Sequence, residues 1–534
     1  MKQLFRFSVL LLALLLPITA TAADFVVDGI CYNIHGNEAA VASRRVPGFL
    51  FIGYSGDVVI PDTVTYDGTT YPVTSIEDIA FYGCHDLTSI VVPNSVTEIG
   101  QEAFGNCPGL TSIVVESGNP RFDSRNNCNA IIETTDNELI AGCKNTIIPN
   151  SVTKIGNFAF DACVSLTSIV IPNSVTEIGH YAFYCCDSLT SIDIPNSVIE
   201  IGYGVFESCL GLTSIVVESG NPRFDSRNNC NAIIETTDNE LIAGCKNTII
   251  PNSVTKIGIL AFDACSSLTS IVIPNSVTEI GHYAFHSCDS LTSIDIPNSV
   301  IEIGYGVFES CPGLTSIVVE SGNPRYDSRN NCNAIIETAY NTLIYGCKNT
   351  TIPYSVTTID DYAFYDCDGL TSIVIPNSVT EIGFGAFEGC TYLTSIVIPN
   401  SVTSIGDNAF CNCWRLTDVY CYIADLTNVS SGNRTFYSNS YGYSGRTLHV
   451  LQGMADAYRA DENWYPYFGQ IAEDIFMGDV NGDLEVNIAD VNVAIDMILG
   501  GNSSTPAADV NGDGEINIAD INAIIDIILG GTRN

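Results

Sequence analysis

The chain has 534 residues, of which 60 are acidic and 20 are basic, so its formal net charge is −40. A chain this acidic repels phosphate backbones, which excludes nucleic acid as a partner. Hydrophobic residues make up 46% of the chain and charged residues only 15%, so the sequence can bury a large core and is not that of a disordered protein.

The N-terminus has the parts of a secretory signal peptide. Lys2 and Arg6 precede the apolar run at 7–16, and the small residues 20–22 form a cleavage site. The run is too short to span a bilayer comfortably, and no later stretch is apolar enough to do so. We therefore predict that residues 1–22 are removed and that the protein is exported without a transmembrane span.

A 23-residue repeat dominates the chain, with the unit V-T-x-I-G-x-x-A-F-x-x-C-x-x-L-T-S-I-x-I-P-N-S. Its eleven copies begin at Val73, Val96, Val152, Val175, Val198, Val254, Val277, Val300, Val356, Val379 and Val402. Three of the steps between copies are 56 residues long, so each of these holds a 33-residue insertion. Residues 113–214 and 215–316 differ at only six positions, which indicates recent duplication.

The sequence of each unit predicts a short strand and a turn of helix. The β-branched, alternating residues 87–92 predict a strand that Pro93 ends, and the spacing in 99–107 predicts a turn of helix. One unit cannot bury its own apolar side chains, so stacked units must share a core. The fold class predicted is a repeat solenoid with short parallel strands and a turn or short helix in each rung.

The 21 cysteines fall into two main groups. Eleven occupy the fixed cysteine position of the repeat, which is typical of buried packing. Six form three evenly spaced pairs, and these are disulfide candidates, with buried thiols as the alternative. The pairs are Cys128 with Cys143, Cys230 with Cys245, and Cys332 with Cys347.

The insertions predict hairpins and supply cations to this otherwise acidic chain. Residues 130–134 and 138–141 flank a Thr-Asp-Asn turn. Arg121, Arg125 and Lys144 recur in the later insertions. They form either a ligand-binding row or ion pairs with Asp123 and Glu116.

Two C-terminal loops have the oxygen-donor spacing of calcium sites. Donors stand at loop positions 1, 3, 5, 7, 9 and 12, with position 7 offering its backbone carbonyl. The predicted metal ligands are Asp479, Asn481, Asp483, Glu485, Asn487 and Asp490, then Asp509, Asn511, Asp513, Glu515, Asn517 and Asp520. Each loop leads into one predicted helix, 491–499 or 521–529, so we expect two calcium ions in a small all-α domain.

These motifs resemble two known families. The repeat over residues 73–424 is similar to the BspA-like leucine-rich repeats of bacterial surface and secreted proteins, with 23–72 and 425–475 resembling its caps and 447–450 the last strand. Residues 478–534 resemble a type I dockerin. That resemblance implies calcium-dependent binding to a cohesin-like module, with the choice of cohesin influenced by Ile488-Ala489 and Ile518-Ala519.

No catalytic constellation is evident among the six histidines, the acids or the glycines, so we expect no enzyme activity. The first hypothesis is a secreted or surface-associated adhesion-type protein whose solenoid binds an unidentified protein or glycan and whose dockerin tethers it to a scaffold or envelope protein. The alternative is an accessory carbohydrate-binding subunit of a polysaccharide-degrading complex. For that role, the aromatic residues able to stack on sugars are Trp414, Tyr437, Tyr441, Tyr443 and Trp464, unless they pack within the C-terminal cap.

Overall fold

The computed structural model describes residues 23–44, 53–438, 445–481, 485–500, 505–511 and 515–529. The predicted signal peptide lies outside these ranges, as do Asp483 and Asp513 of the predicted metal loops. The chain divides into two compact units, residues 1–211 and 212–534, and each is described by itself. Within the described ranges, no helix combines the length and apolar character needed to cross a bilayer.

The N-terminal part of the first unit is a small mixed sheet. Its strands are Phe25–Val27, Ile30–His35, Glu38–Val41, Thr63–Tyr66 and Thr69–Ile76. The first three pair antiparallel, and Glu38–Val41 then pairs in parallel with Thr69–Ile76, which continues into the first repeat. This segment therefore adds strands at one end of the repeat sheet, where an edge would otherwise be open.

The predicted L-T-S-I strand is the longer strand of each rung. These long strands are Leu87–Val92, Ser112–Val115, Ser191–Ile194, Ser214–Val217, Ser293–Ile296, Ser316–Val319, Ser395–Ile398 and Asp418–Cys421. Leu87–Val92 pairs in parallel with Gly56–Val59 before it and Ser112–Val115 after it. Ile90 and Val92 are buried whereas Ser89 and Val91 are only half-buried, so the alternation over 89–92 places one face of the strand in the core, and Leu87 is buried at the start of the strand.

A second, two-residue strand follows the P-N-S turn in each rung. These short strands are Glu98–Ile99, Lys154–Ile155, Glu177–Ile178, Glu200–Ile201, Lys256–Ile257, Glu279–Ile280, Glu302–Ile303, Thr358–Ile359, Glu381–Ile382 and Ser404–Ile405. They pair in parallel from rung to rung, as in Lys154–Ile155 with Glu177–Ile178. The rung thus contributes to two sheets.

Of the turn or short helix predicted in each rung, the structure has the turn, because the segment consists of successive hydrogen-bonded turns. Tyr82 N donates to Ile79 O within the rung, whereas Phe81 N donates to Ala103 O of the next rung at 2.8 Å. Ile79 has a left-handed backbone with φ of 51°, which points neighbouring peptide groups in different directions. A regular helix would keep all these hydrogen bonds inside the rung, so bonding between rungs selects turns instead.

The core of each unit is a column of equivalent side chains. In the second unit the rings of Phe364, Phe387, Phe410 and Phe436 stack with centroids 4.9, 5.2 and 5.3 Å apart. The repeat cysteines lie beside them, and Cys390 Sγ donates to Phe364 O at 3.2 Å. These side chains repeat because each rung must present the same shape to its neighbours.

All 21 cysteines are free thiols, including the three candidate disulfide pairs. Cys128 Sγ donates to Ala130 O, and Cys143 Sγ donates to Asn129 O at 3.4 Å. Both side chains are buried, so the structure has the buried-thiol alternative at these positions.

The predicted hairpins of the insertions are confirmed. Their strands are Phe122–Asp123, Ala130–Glu133 and Glu138–Gly142, then Phe224–Asp225, Ile233–Glu235 and Glu240–Ala243, then Tyr326–Asp327, Ile335–Glu337 and Thr342–Tyr345. Three short 3-10 segments accompany them, Arg125–Asn127, Arg227–Asn229 and Arg329–Asn331. Ala130–Glu133 pairs antiparallel with Glu138–Gly142, which joins the sheet of short strands.

The cations of the first insertion bond to groups of the chain itself. Arg121 Nε lies 3.1 Å from Glu133 Oε1, and Arg125 Nε lies 2.8 Å from Asp123 Oδ1. Lys144 Nζ donates to Pro108 O at 3.2 Å. Arg121 is therefore paired with Glu133 and not with the predicted partner Glu116, whereas the predicted pairing with Asp123 is made by Arg125.

Residues 425–475 contain more elements than the sequence predicted. The strands Ser430–Ser431, Thr447–Leu451 and Gln470–Ile475 extend the two sheets, and they are joined by helix α1, Ala455–Ala460, and 3-10 segments Leu426–Asn428 and Tyr465–Tyr467. Thr447–Leu451 is not the last strand, because Gln470–Ile475 pairs with it in parallel.

The aromatic residues proposed for sugar stacking have different environments. Trp464 is 1% exposed and packs against Phe436 and Tyr458, so it serves the core. Trp414 is 60% exposed, and Tyr437 lies under the guanidinium of Arg434. Tyr441 and Tyr443 lie outside the described residues.

The C-terminal module contains helix α2, Ile488–Ile498, the 3-10 segment Pro506–Ala508 and helix α3, Ile518–Ile528. Both helices begin three residues earlier than predicted. Their apolar core consists of Val480, Val491, Ala494, Ala508, Val510, Ile521 and Ile524. The two loop–helix copies therefore bury their apolar faces against each other.

Candidate functional site: the C-terminal loops

The ends of the two loops are also the starts of the two helices. Asn487 Oδ1 accepts a hydrogen bond from Ala489 N at 2.8 Å, and Asp490 Oδ2 accepts one from Asn487 N at 2.8 Å. This is a capping box, and Asn517 and Asp520 form the same one. The N-x-x-D pattern is the sequence signal that would have placed the helix starts correctly.

The position-12 aspartates tie each loop together. Asp490 is fully buried, and its Oδ1 accepts hydrogen bonds from Val480 N at 2.7 Å and Asn481 N at 3.0 Å. Asp520 is also fully buried and accepts from Asn511 N at 3.1 Å and Asn517 N at 2.9 Å. Each carboxylate therefore connects the beginning of its loop to the first turn of its helix.

The donor set fits a hard cation. Asp479 and Asp490 are both buried in the first loop, as are Asp509 and Asp520 in the second. Residues 478–534 contain ten acidic side chains and a single basic one, Arg533. Buried like charges require a compensating cation, and carboxylate, amide and carbonyl oxygens are the ligands that calcium prefers.

The structure brings only part of each predicted ligand set together. Across the described residues, no three Asp, Glu, His or Cys side chains form a metal-binding group. Position 5 of each loop, Asp483 or Asp513, lies outside those residues. Glu485 and Glu515 lie just after these positions, where each would offer a backbone carbonyl to the ion.

The first carboxylate of the second loop touches the repeat region. Asn377 Nδ2 donates to Asp509 Oδ2 at 2.9 Å, and both residues are buried. Burial and the nearby Asp479 raise the pKa of Tyr422 to about 12. Position 1 of the second loop therefore contacts the repeat region, a contact that no sequence pattern indicates because the partners lie far apart in the chain.

Equivalent apolar side chains of the two helices remain exposed. Ile488 and Ile518, at position 10 of each loop, are 66% and 69% exposed. Leu499 and Leu529 are exposed at the other ends of the helices. Paired exposed apolar residues on a small domain indicate a surface for a protein partner.

An Asp-His-Ser series occurs in the second unit, but the amide of its serine is not positioned as an oxyanion-hole donor. His286 Nδ1 lies 2.7 Å from Asp263 Oδ1, and Nε2 lies 3.4 Å from Ser287 Oγ. However, Ser287 N already donates to Glu309 O at 3.0 Å, so it is not free to stabilise an oxyanion. Burial raises the pKa of the neighbouring Glu309 carboxyl to about 7.

Stacked rungs followed by two acidic loop–helix copies define a repeat protein with a small C-terminal module. The family model "BspA type Leucine rich repeat region (6 copies)" matches residues 68–134, 133–238, 238–340 and 326–441. The chain therefore belongs to the BspA-type leucine-rich repeat proteins, and a type I dockerin domain is matched at residues 477–529.

Solved structures of bacterial repeat proteins are similar to this chain. A leucine-rich cell surface protein from Faecalibacterium prausnitzii is 21% identical, with 85% of this chain and 95% of that chain covered and a TM-score of 0.32. A leucine-rich repeat protein from Bacteroides ovatus is 25% identical, with 84% and 100% covered and a TM-score of 0.30. One from Eubacterium ventriosum is 21% identical, with 78% and 95% covered and a TM-score of 0.40.

No curated protein matches the chain. Both matched families are generally non-catalytic binding modules, and the comparison finds no enzymatic domain. Type I dockerins generally bind calcium and cohesin modules. Proteins with these repeats and dockerins are typically extracellular or surface-associated.

Proposed function

We propose that this protein is a non-catalytic, exported binding protein that is attached through its C-terminal module. Two calcium ions, held by the loop residues given above, order the module, and the module then binds a cohesin on a scaffold or envelope protein. The repeat region recognises a separate ligand. The observation that carries the proposal is the pair of acidic loop–helix copies with matched exposed isoleucines.

The tether is tested by replacing both isoleucines. We expect the Ile488→Arg, Ile518→Arg double variant to lose at least about 100-fold in affinity for a cohesin, because two apolar contacts become charged. Both side chains are exposed, so the fold should survive. Surface plasmon resonance against a panel of purified cohesin modules, with calcium and with chelator, measures the loss.

Val170→Arg is the matched control, because it makes the same change at an exposed residue of the repeat region. It should bind cohesin like the wild type. Equal cohesin binding by the double variant and the control, or binding that chelator does not reduce, would contradict the proposed tether.

The repeat region exposes apolar side chains at one position of its long-strand segment. In the first unit these are Val114 and Val170, and in the second unit Val216, Val272, Val318 and Val374. Val170 and Val272 are more than 80% exposed. Repeated apolar side chains in water are typical of a surface that meets a protein, and repetition increases avidity.

We therefore expect the repeat region to bind a protein ligand. Parallel binding assays on immobilised extracellular-matrix proteins and on a glycan array test this, with the Val170→Arg, Val272→Arg double variant as comparison. Binding to a protein that the double variant lacks supports the proposal. Binding only to polysaccharide, through the exposed Trp414, would support the carbohydrate-binding alternative instead.

A further inference from the structure

The first insertion opens a cleft of about 480 Å³ in the first unit. It is lined by the rung segment 99–105, the insertion strand Glu138–Gly142 with neighbouring insertion residues, and the rung segment 157–161. We call it the first-insertion cleft. Its volume lies within the range of small-molecule sites in proteins.

The insertion strand creates this cleft by separating two rungs. Between ordinary rungs, Phe81 N donates to Ala103 O. At the insertion the equivalent acceptor, Ala159 O, instead takes a hydrogen bond from Gly142 N at 2.7 Å. The insertion strand therefore bonds to the segment 157–161 in place of the rung segment 99–105, and the two rungs meet directly only beyond it, where Asn106 N donates to Asp161 O at 3.1 Å.

The third insertion, in the second unit, shows how the same separation can be closed. Tyr345 stands there where the first insertion has Ala141, and its hydroxyl donates to Gly304 O at 2.8 Å and accepts from Val307 N at 3.2 Å. The remaining cavity between those rungs is about 10 Å³. The small side chain of Ala141 thus leaves the first cleft open.

An unpartnered carboxylate lines the cleft. Asp161 is 4% exposed, and its Oδ2 has no hydrogen-bond partner. It lies against Gly105, where even a Cβ atom would clash with the carboxylate. Burial and the nearby Glu102 raise the pKa of Asp161 to about 7, so this group is costly to leave ionised without a cation.

The other charges of the cleft are mostly negative. Glu102, Asp136 and Glu138 also line it, whereas the one basic residue of the lining, Arg121, is paired with Glu133. The apolar part of the wall comes from Ile99, Phe104, Phe122, Ile140 and Phe158. Such a wall suits a cation that carries an apolar stem, and no metal-binding group of side chains occurs in the described residues.

We propose that the first-insertion cleft binds an alkylammonium group, with the ammonium ion on Asp161 and Glu102 and the aliphatic stem against Phe104 and Phe158. The source of this group is a lysine side chain of a partner protein or a free diamine. The site goes beyond the proposed tether and the exposed valines, since it is built from turns and an insertion strand.

Isothermal titration calorimetry of the full chain, with calcium held constant, tests the site. The probes are 1,5-diaminopentane and Nα-acetyl-lysine methylamide, with 1,5-pentanediol as the uncharged comparison. We expect at least one ammonium probe to bind and the diol not to bind. The stronger of the two ammonium probes distinguishes a free diamine from a lysine side chain.

Two kinds of variant connect the binding to this cleft. Asp161→Asn and Glu102→Gln should each weaken binding by about 10-fold to 100-fold, because each removes a charge-assisted hydrogen bond. Ala141→Tyr should abolish binding by filling the cleft, and the third insertion shows that this side chain can be accommodated. Asp193→Asn, an exposed change in the same unit that does not line the cleft, is the control with little expected effect.

Failure of both ammonium probes to bind would overturn the proposal. So would equal binding of the diol, unchanged binding by Asp161→Asn and Ala141→Tyr, or displacement of the probe by magnesium. None of these results would affect the cohesin assay, so the two proposals fail separately.

Discussion

Asp161→Asn should make the protein more stable near neutral and alkaline pH. The pKa of Asp161 is raised from 3.8 to about 7 by burial and by Glu102. Protonated Asp161 therefore makes its full contribution to the free energy of unfolding below about pH 4. That contribution is lost as the pH rises through about 7. The neutral amide avoids this loss, so we expect a gain of up to about 4 kcal/mol in the free energy of unfolding near pH 8.

The groups around Asp161 support the predicted gain in stability on its replacement by Asn. Glu102 and Tyr82 face it from the preceding rungs, and Tyr184 and Cys185 face it from the following rung. None of these groups is a cation at neutral pH. Ionisation of Asp161 therefore places a negative charge beside acidic or neutral groups.

Urea unfolding of the wild type and the variant at about pH 4 and about pH 8 provides the measurement. The stabilisation should be present at the higher pH and small at the lower one. Asp136→Asn, an exposed change in the same unit, should alter stability little at either pH. A gain that is the same at both pH values would show that ionisation of Asp161 is not its cause.

Asp490→Ala should remove calcium from the first loop. The side chain is fully buried and accepts hydrogen bonds from three backbone N–H groups, those of Val480, Asn481 and Asn487. Its loss strands these donors and removes a proposed ligand. We expect calcium affinity to fall by more than about 100-fold at that loop and the module to lose about 3 kcal/mol or more.

Calcium titration by calorimetry should show two ions bound to the wild type and one to the variant, while hydrogen exchange follows the start of α2. Asp496→Ala, which removes an exposed acid from the same helix, should retain both ions. Two ions of unchanged affinity in Asp490→Ala would show that Asp490 is purely a structural capping residue.

The repeat and the loops were predictable because their signals are local. The 23-residue period and the L-T-S-I segments indicate stacked strands, and the spacing of the loop oxygens indicates a calcium site. Each of these signals comes from residues that are close together in the chain. The structure agrees with the strands at Leu87–Val92 and with the hairpin Ala130–Glu133 to Glu138–Gly142.

Features set by distant partners were not predictable. Residues 166–171 have the long-strand sequence yet form no strand, since the insertion before them interrupts the ladder. The turns around Ile79 depend on hydrogen bonds to the next rung. The first-insertion cleft stays open because Ala141 and Gly105 in its wall are too small to fill it.

The contact between Asn377 and Asp509 joins the C-terminal module to the repeat region. An aspartate that begins a proposed calcium loop shares its oxygen with a turn of the repeat region. If calcium occupies this loop as proposed, and if a ligand of the repeat region changes the affinity for calcium through this contact, thermodynamic reciprocity requires calcium to change the affinity for that ligand by the same factor. Through that coupling, the calcium concentration would affect ligand binding by the repeat region as well as cohesin binding by the proposed tether.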